Sequence, residues 1–477
     1  MRRTILSWIL IGFTSTLFAQ KPGYEIEFNI EGCEPGKAVL AYYYGNKQYI
    51  KDSTRVDAKG KFIFKGDESL PQGIYIAVMP PENKYFEVIV DGDQHFKMAS
   101  QYATPINSMK VTGNEENTRF YGYLKFLNDQ KKKTEPLTKQ VDQLKEADSV
   151  GYRELPAFKA IQEKMEAIDE EVKDYKNKFI ADYPNALLTK VFLASKDPDI
   201  PEPPVLENGR VDSTFSWRYF KDHYWDLIDF NDDRILRTPV YHSKLERFMT
   251  KTIHQIPDSV IVEAVKLVEK TKDNKELFKY TVFWITSHFE TSKQMGMENV
   301  FVEMAKRYYM TGQAYWADST TVAKIGERAK KLSFSLIGNT APNLIMKDTA
   351  DQVQILHAID KDYTIAYFWD PDCGHCKKVT PKVKEFYDNF KKELDVEIYG
   401  VNTNAEERED WIKYINENNL DWINVEDPEQ KTAYKYLYDI YSTPVIYLLD
   451  KNKKIIAKRI GAEDLENFIR HHKKTSS

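Results

Sequence analysis

The chain has 477 residues and is too long for one ordinary domain, so roughly two or three domains are expected. Hydrophobic residues make up 42% of the chain and aromatic residues 13%, which is enough to build buried cores. The net charge of −5 provides no basic surface field, so we exclude nucleic acid as a partner class.

Residues 1–19 have the pattern of a secretory signal peptide. Two arginines follow the first methionine, and residues 5–18 are mostly apolar but too short for a typical membrane span of about 20 residues. Ala19 suits the last position before cleavage. Leu17 is larger than the small residue preferred two positions earlier, so an uncleaved membrane anchor is the alternative. The segment predicts export to the periplasm.

Residues 20–112 predict an antiparallel β-sandwich, because short alternating runs are separated by turn residues. The clearest runs are residues 24–30, 38–44, 62–64, 74–78 and 86–90. Residues 113–335 are rich in charge and show helical periodicity, which predicts a helical middle domain. From residue 336 to 477 strands and helices alternate, which predicts a third, α/β domain. The predicted fold class is therefore a multidomain α+β protein.

Two cysteines separated by two residues, Cys373 and Cys376, are the main chemical signal of the chain. They follow an apolar run at residues 363–369, which predicts a buried strand, and they precede a predicted helix at residues 377–390. Backbone N–H groups and the positive end of a helix dipole favour thiolate over thiol. Because the thiolate is the nucleophile of disulfide exchange, this position predicts a redox-active pair.

A metal site is the alternative interpretation of the pair. Structural zinc needs four ligands, and the chain offers just one further cysteine, Cys33, which we predict to be a small buried residue. Copper held by Cys373, Cys376 and His375 remains open, since thiolate and imidazole suit that metal. We expect redox chemistry, with no metal and no cofactor.

Residues around the pair carry a family resemblance. The matching features are Ala341-Pro342, Phe368-Trp369, Pro381, Thr443-Pro444 before a strand, and Gly461 before the last helix. Because these features occur in the same order as in that family, the segment resembles the thioredoxin fold, and in particular the exported TlpA/ResA-like thiol–disulfide oxidoreductases. The whole chain resembles the Bacteroidota type of these proteins, in which a β domain and a helical domain of unknown function precede the redox domain.

The resemblance implies a role for each site residue. Cys373 attacks the substrate disulfide, and Cys376 resolves the mixed disulfide. His375 is expected to carry positive charge beside the Cys373 thiolate. Pro444, if its peptide bond is cis, leaves the backbone of Thr443 free to pair with an extended substrate.

Trp369 is a further predicted substrate contact. The same resemblance implies disulfide-bearing exported proteins as substrates and a membrane thiol protein as electron donor.

Two departures from the family pattern concern charge and protons. Asp370 and Asp372 flank the pair and oppose thiolate formation. Tyr367 and Val379 occupy positions at which thioredoxin and the ResA-like proteins carry a carboxylate, so the proton acceptor for Cys376 is not identified. We predict a periplasmic thiol–disulfide oxidoreductase acting as a reductant. The alternative is an exported ligand- or copper-binding protein whose cysteine pair is a metal clamp or is vestigial.

Overall fold

The computed structural model describes residues 23–404, 406 and 408–476. The predicted signal peptide, residues 1–19, lies outside the described residues. The chain forms two compact units that divide after residue 246. This boundary falls inside the segment 113–335 that the sequence predicts as one helical domain.

The first unit begins with a β-sandwich of two four-stranded sheets. Its strands are β1 (Tyr24–Glu31), β2 (Gly36–Tyr44), β3 (Lys47–Val56), β4 (Lys61–Gly66), β5 (Gly73–Met79), β6 (Lys84–Val90), β7 (His95–Gln101) and β8 (Lys110–Thr112). The strand orders are β4-β1-β7-β8 and β3-β2-β5-β6. Alternate residues of β1, such as Ile26 and Phe28, are buried, as the period of two predicts.

One strand pair differs from the antiparallel expectation. β1 and β7 run parallel, whereas every other pair in the two sheets is antiparallel. β7 enters its sheet after the chain has crossed over from β6 in the other sheet, so no tight hairpin sets its direction relative to β1. The predicted sandwich is confirmed, with this one parallel pair.

In the part of the chain that the structure describes, five α-helices follow the sandwich, and the last of them ends one residue past the boundary. They are α1 (Glu115–Ala147), α2 (Pro156–Asp182), α3 (Leu187–Ser195), α4 (Phe215–His223) and α5 (Val240–Arg247). Helix α1 begins after Asn114, whose side chain accepts a hydrogen bond from the backbone N–H of Asn117 at 2.8 Å. Phe120 and Tyr121 of α1 join the sandwich core.

The second unit begins with four helices and continues into a seven-stranded sheet. The helices are α6 (Pro257–Thr271), α7 (Lys275–Glu290), α8 (Glu298–Met304) and α9 (Ser319–Ser333). Asn274 and Asp318 cap α7 and α9 through their side-chain oxygens. Together with the helices of the first unit, these confirm the predicted helical middle of the chain.

The sheet has the order β10-β9-β13-β12-β11-β14-β15 and is accompanied by four helices. In chain order the elements are β9 (Ile345–Asp348), β10 (Val353–Ile355), β11 (Tyr363–Trp369), α10 (Cys376–Phe390), β12 (Val396–Asn402), α11 (Arg408–Glu417), β13 (Ile423–Glu426), α12 (Tyr434–Leu437), β14 (Val445–Asp450), β15 (Ile455–Lys458) and α13 (Leu465–Ser476). This arrangement confirms the predicted thioredoxin-like α/β domain.

The central strand β11 explains why the sequence there is an uninterrupted apolar run. Its seven residues are all buried, because both faces of the sheet are covered. Ile365, Tyr367 and Trp369 pack on the side of α10, while Ala366 and Phe368 belong to the core on the opposite face. The strand is parallel to β12 and antiparallel to β14. No helix in the described part of the chain is both long and apolar enough to cross a membrane.

Candidate active site

The cysteine pair lies at the junction between the central strand and a helix. β11 ends at Trp369, Cys376 is the first residue of α10, and Cys373 lies in the turn between them. Both thiols are free rather than joined in a disulfide. The junction is the one that the apolar run and the helical pattern predict.

The two thiols are unequally exposed. Cys373 is partly exposed, whereas Cys376 is only 1% exposed and belongs to the core beneath α10. The backbone N–H of Cys376 donates to Cys373 Sγ at 3.3 Å. An incoming disulfide can therefore reach Cys373 from solvent, while Cys376 is shielded.

The same geometry separates the two pKa values. Burial by itself raises the pKa of Cys373, but hydrogen bonds from the Cys376 thiol, the Thr443 hydroxyl and two backbone N–H groups outweigh it and hold that pKa below its ordinary value. Burial and the adjacent Cys373 sulfur raise the pKa of Cys376 to about 12. Cys373 is thus the thiol of the pair that more readily forms a thiolate, and Cys376 stays protonated near neutral pH.

A loop before β14 completes the exposed side of the site. The Thr443–Pro444 peptide bond is cis, and the Cys373 thiol donates to the Thr443 carbonyl oxygen at 3.4 Å. Residues 373 and 443 are 70 positions apart, so the fold alone brings them together. The roles of Thr443 and Pro444 in substrate binding stay predictions.

The predicted contact between Trp369 and substrate does not fit the structure. Trp369 has no exposed surface, and its ring stacks against Tyr367 and packs 5.4 Å from the ring of Tyr414. Its carbonyl oxygen accepts hydrogen bonds from the backbone and hydroxyl of Thr403. Because β11 is covered on both faces, Trp369 supports the core beneath the site and presents nothing to a substrate.

The structure shows the exposure of His375 and the hydrogen-bond and ion-pair partners of Asp370 and Asp372. His375 is exposed at the residue before α10, and its backbone N–H is one of the groups that lower the pKa of Cys373. The predicted role of its imidazole stays a prediction. Asp372 forms an ion pair with Lys377 at 3.3 Å, and the Asp370 carboxylate accepts from the Asp372 backbone at 2.8 Å.

A hydroxyl pair beneath the site was missed at the sequence level. Tyr367, at the position where thioredoxin carries a carboxylate, places its hydroxyl 2.8 Å from Thr380 Oγ1. Both residues are buried, and Thr380 lies one helical turn beyond Cys376 on α10. The spacing of four residues places Thr380 on the same helix face as Cys376, but it does not identify Tyr367 as the partner of Thr380.

No group of three or more His, Cys, Asp or Glu side chains is arranged to hold a metal ion among residues 23–404, 406 and 408–476. The structure therefore does not bring His375 together with Cys373 and Cys376 as a three-ligand site. The copper alternative gains no support from this arrangement.

Three families match successive parts of the chain. Residues 360–455, which contain the site just described, match the thioredoxin-like family. Residues 24–120 match the domain of unknown function DUF4369, and residues 159–331 match the domain of unknown function DUF5106.

Individual relatives are similar to parts of the chain. The thiol–disulfide oxidoreductase ResA of Bacillus anthracis is 28% identical over 138 residues, which is 28% of this chain and 77% of ResA. A solved domain of a possible thiol–disulfide isomerase from Cytophaga hutchinsonii is 42% identical, with 29% of this chain and 95% of that domain covered and a TM-score of 0.28. A solved thioredoxin-like protein from Bacteroides caccae is 20% identical and covers 58% of this chain and 100% of its own, with a TM-score of 0.44.

Proposed function

Because the chain belongs to the thioredoxin-like thiol–disulfide oxidoreductases, we propose that its Cys373–Cys376 pair reduces disulfides of exported proteins in the periplasm. The observation that carries this proposal is the inequality of the two thiols. One is accessible with a lowered pKa, and the other is buried with a raised pKa. This is the division of labour that a two-step exchange requires.

In the first step the Cys373 thiolate attacks one sulfur of the substrate disulfide. A bond forms between Cys373 Sγ and that sulfur, the substrate S–S bond breaks, and the departing sulfur takes up a proton. The backbone N–H of Cys376 stabilises the thiolate before attack. Since Cys373 is partly exposed, a protein disulfide in an extended segment can reach it.

In the second step Cys376 loses its proton and attacks Cys373 Sγ. The mixed disulfide breaks, the second substrate sulfur leaves as a thiol, and the Cys373–Cys376 disulfide forms. Two electrons have then passed from the pair to the substrate. The raised pKa of Cys376 keeps it protonated until the mixed disulfide has formed.

The position of partly exposed Thr443 beside Cys373 supports the way in which we propose that a substrate binds. The Thr443 carbonyl oxygen lies 3.4 Å from Cys373 Sγ, so a strand that pairs with this backbone would carry its disulfide to the nucleophile. A membrane thiol protein is proposed to reduce the Cys373–Cys376 disulfide again. If the Cys373–Cys376 pair acts as a reductant, its reduction potential should be about −270 mV rather than about −120 to −180 mV.

A trapping experiment tests the proposal. In a Cys376→Ser variant the mixed disulfide cannot be resolved, so substrates should accumulate as covalent adducts of Cys373 in the periplasmic fraction. The matched control is Cys373→Ser, which should trap nothing. Absence of adducts, together with failure of the unaltered protein to reduce insulin, would overturn the proposed function.

A further inference from the structure

Helix α9 holds the segment that leads into the cis-proline loop. The guanidinium of Arg328 donates to Asp439 Oδ1 at 2.7 Å, and the hydroxyl of Tyr436 donates to Glu327 Oε1 at 2.8 Å. Both α9 residues lie outside the part of the chain that matches the thioredoxin-like family and inside the part that matches DUF5106. The redox domain therefore receives structural support from a segment that precedes it.

Asp439 is the anchor of this contact. It is 2% exposed, it has a left-handed backbone with φ of 53°, and its carboxylate meets three cations. Besides Arg328 these are Lys331 at 3.6 Å and Arg459 at 3.2 Å. Separating the buried Asp439 carboxylate from these cations would strongly destabilise the fold. The ion cluster therefore restricts movement of the backbone at residue 439.

Tyr441 is held by the same helix and yet remains exposed. Arg328 donates to its hydroxyl at 3.1 Å, and the Lys331 ammonium lies 3.8 Å from the centre of its ring. Even so, 68% of Tyr441 is exposed. An aromatic ring that is already fixed can bury apolar area on binding while losing little side-chain freedom.

The position of Tyr441 connects it with the reaction. It precedes Thr443 by two residues, and two residues span at most about 7 Å. Thr443 in turn contacts Cys373 through its carbonyl oxygen. A polypeptide joined to Cys373 is therefore close enough to reach the Tyr441 ring with a side chain.

We propose that Tyr441, held by Arg328 and Lys331 of α9, binds an apolar or aromatic side chain near the reacting cysteine of the substrate polypeptide. The helical segment thereby takes part in substrate selection. This inference rests on the proposed disulfide exchange at Cys373, and it adds to it a contact that small disulfides cannot make. Arg328 and Lys331 act through Tyr441 as positioning residues.

Single-turnover oxidation of the reduced full chain tests the inference with three disulfides. Two are symmetric disulfides of a short peptide that carries either phenylalanine or serine beside its cysteine, and the third is hydroxyethyl disulfide. The unaltered protein should react about fivefold to tenfold faster with the phenylalanine peptide than with the serine peptide, mainly through a lower half-saturating concentration. In Tyr441→Ala this preference should disappear, with the hydroxyethyl disulfide rate unchanged.

The matched control is Tyr85→Ala, which removes another exposed tyrosine and should retain the preference. Arg328→Met should weaken the preference, and Arg328→Lys should restore part of it by returning a cation to Asp439. Tyr441→Phe keeps the ring but removes the hydroxyl that accepts a hydrogen bond from Arg328. It therefore tests the contact between Arg328 and Tyr441 if Arg328→Met does not fold.

The outcomes separate the two levels of proposal. If none of the three disulfides oxidises the reduced, unaltered protein, the proposed function fails and the inference fails with it. If all three disulfides react but Tyr441→Ala keeps the full peptide preference, or slows hydroxyethyl disulfide equally, the inference alone is overturned.

Discussion

Cys33 and Cys373 each follow a β-strand, but their surroundings favour opposite protonation states. Cys33, after β1, is 5% exposed, and its thiol donates to the carbonyl oxygens of Pro80 at 3.6 Å and Glu34 at 3.8 Å. Burial, and then the nearby Glu34 charge, raise the pKa of Cys33. Cys373, after β11, donates to the Thr443 carbonyl oxygen but also receives hydrogen bonds, among them one from the backbone N–H of Cys376.

The comparison indicates that the hydrogen bonds received by Cys373 distinguish the pKa values of the two thiols. Burial raises the pKa at both positions, so burial does not distinguish them. Carbonyl oxygens stabilise the protonated thiol, whereas N–H groups at a helix start stabilise the thiolate. The strand–helix junction supplies such donors at Cys373 in addition to the Thr443 carbonyl oxygen, whereas the contacts of the Cys33 thiol are with the carbonyl oxygens of Glu34 and Pro80.

The largest expected effect comes from exchanging each thiol for a hydroxyl. Cys373→Ser should reduce insulin reduction to the uncatalysed rate, because no thiolate is left to attack the substrate. Cys33→Ser should retain activity within about twofold, since its thiol is a buried packing group. Insulin turbidity with equal amounts of each variant measures the difference. A loss of activity in folded Cys33→Ser would contradict the comparison.

Alkylation should separate the three thiols in the reduced protein. With iodoacetamide at neutral pH, Cys373 should react first, and its rate should rise with pH through a midpoint below the ordinary value of about 9. Cys33 and Cys376 should stay unlabelled until the protein is unfolded, because both are buried with raised pKa values. Peptide mass mapping identifies the labelled residue. Equal labelling of Cys33 and Cys373 would show that hydrogen-bond direction does not govern their reactivity.

Stability should depend on pH through Cys376. A raised pKa means that the folded state holds the proton more tightly, so this contribution is complete below about pH 9 and is lost as the pH rises toward about 12. Reduced protein should lose about 1 kcal/mol of unfolding free energy per pH unit from this group between about pH 9 and 10.5. Urea unfolding of the reduced unaltered protein and of Cys376→Ala across this pH range isolates the contribution of Cys376 to the free energy of unfolding. Parallel curves for the two proteins would contradict it.

The smallest expected effect concerns His375. His375→Ala keeps the backbone N–H that contributes to the lowered pKa of Cys373, so the alkylation midpoint should remain below about 9. The pH dependence of iodoacetamide labelling measures it, with Lys378→Ala as a matched exposed control on the same helix. A midpoint that returns to about 9 in His375→Ala alone would assign the effect to the imidazole.

Local patterns predicted much of the fold and the centre of the site. The apolar run of β11 and the helical pattern after it placed the cysteine pair at a strand–helix junction, because both signals come from neighbouring residues. The same run contained the evidence against Trp369 as a substrate contact. A strand buried on both faces leaves no residue facing solvent, so Trp369 follows Tyr367 into the core.

Other features depend on residues that are distant in sequence. The parallel pairing of β1 with β7, the hydroxyl contact of Tyr367 with Thr380, and the ion cluster around Asp439 all join separate elements. Periodicity describes which face of an element is buried but not which element covers it. The partners of Asp439 on α9 consequently have no signature in the local sequence.

By itself the sequence determined which residues can carry the chemistry and which secondary structure each belongs to, since side-chain type and hydrophobic period act over a few residues. Tertiary structure decided how the thiols differ. It placed Thr443, which lowers the pKa of Cys373, beside that thiol, buried Cys376 in the core, and placed the Pro80 carbonyl oxygen beside Cys33. Proton affinity depends on such neighbours, and chain folding alone brings them together.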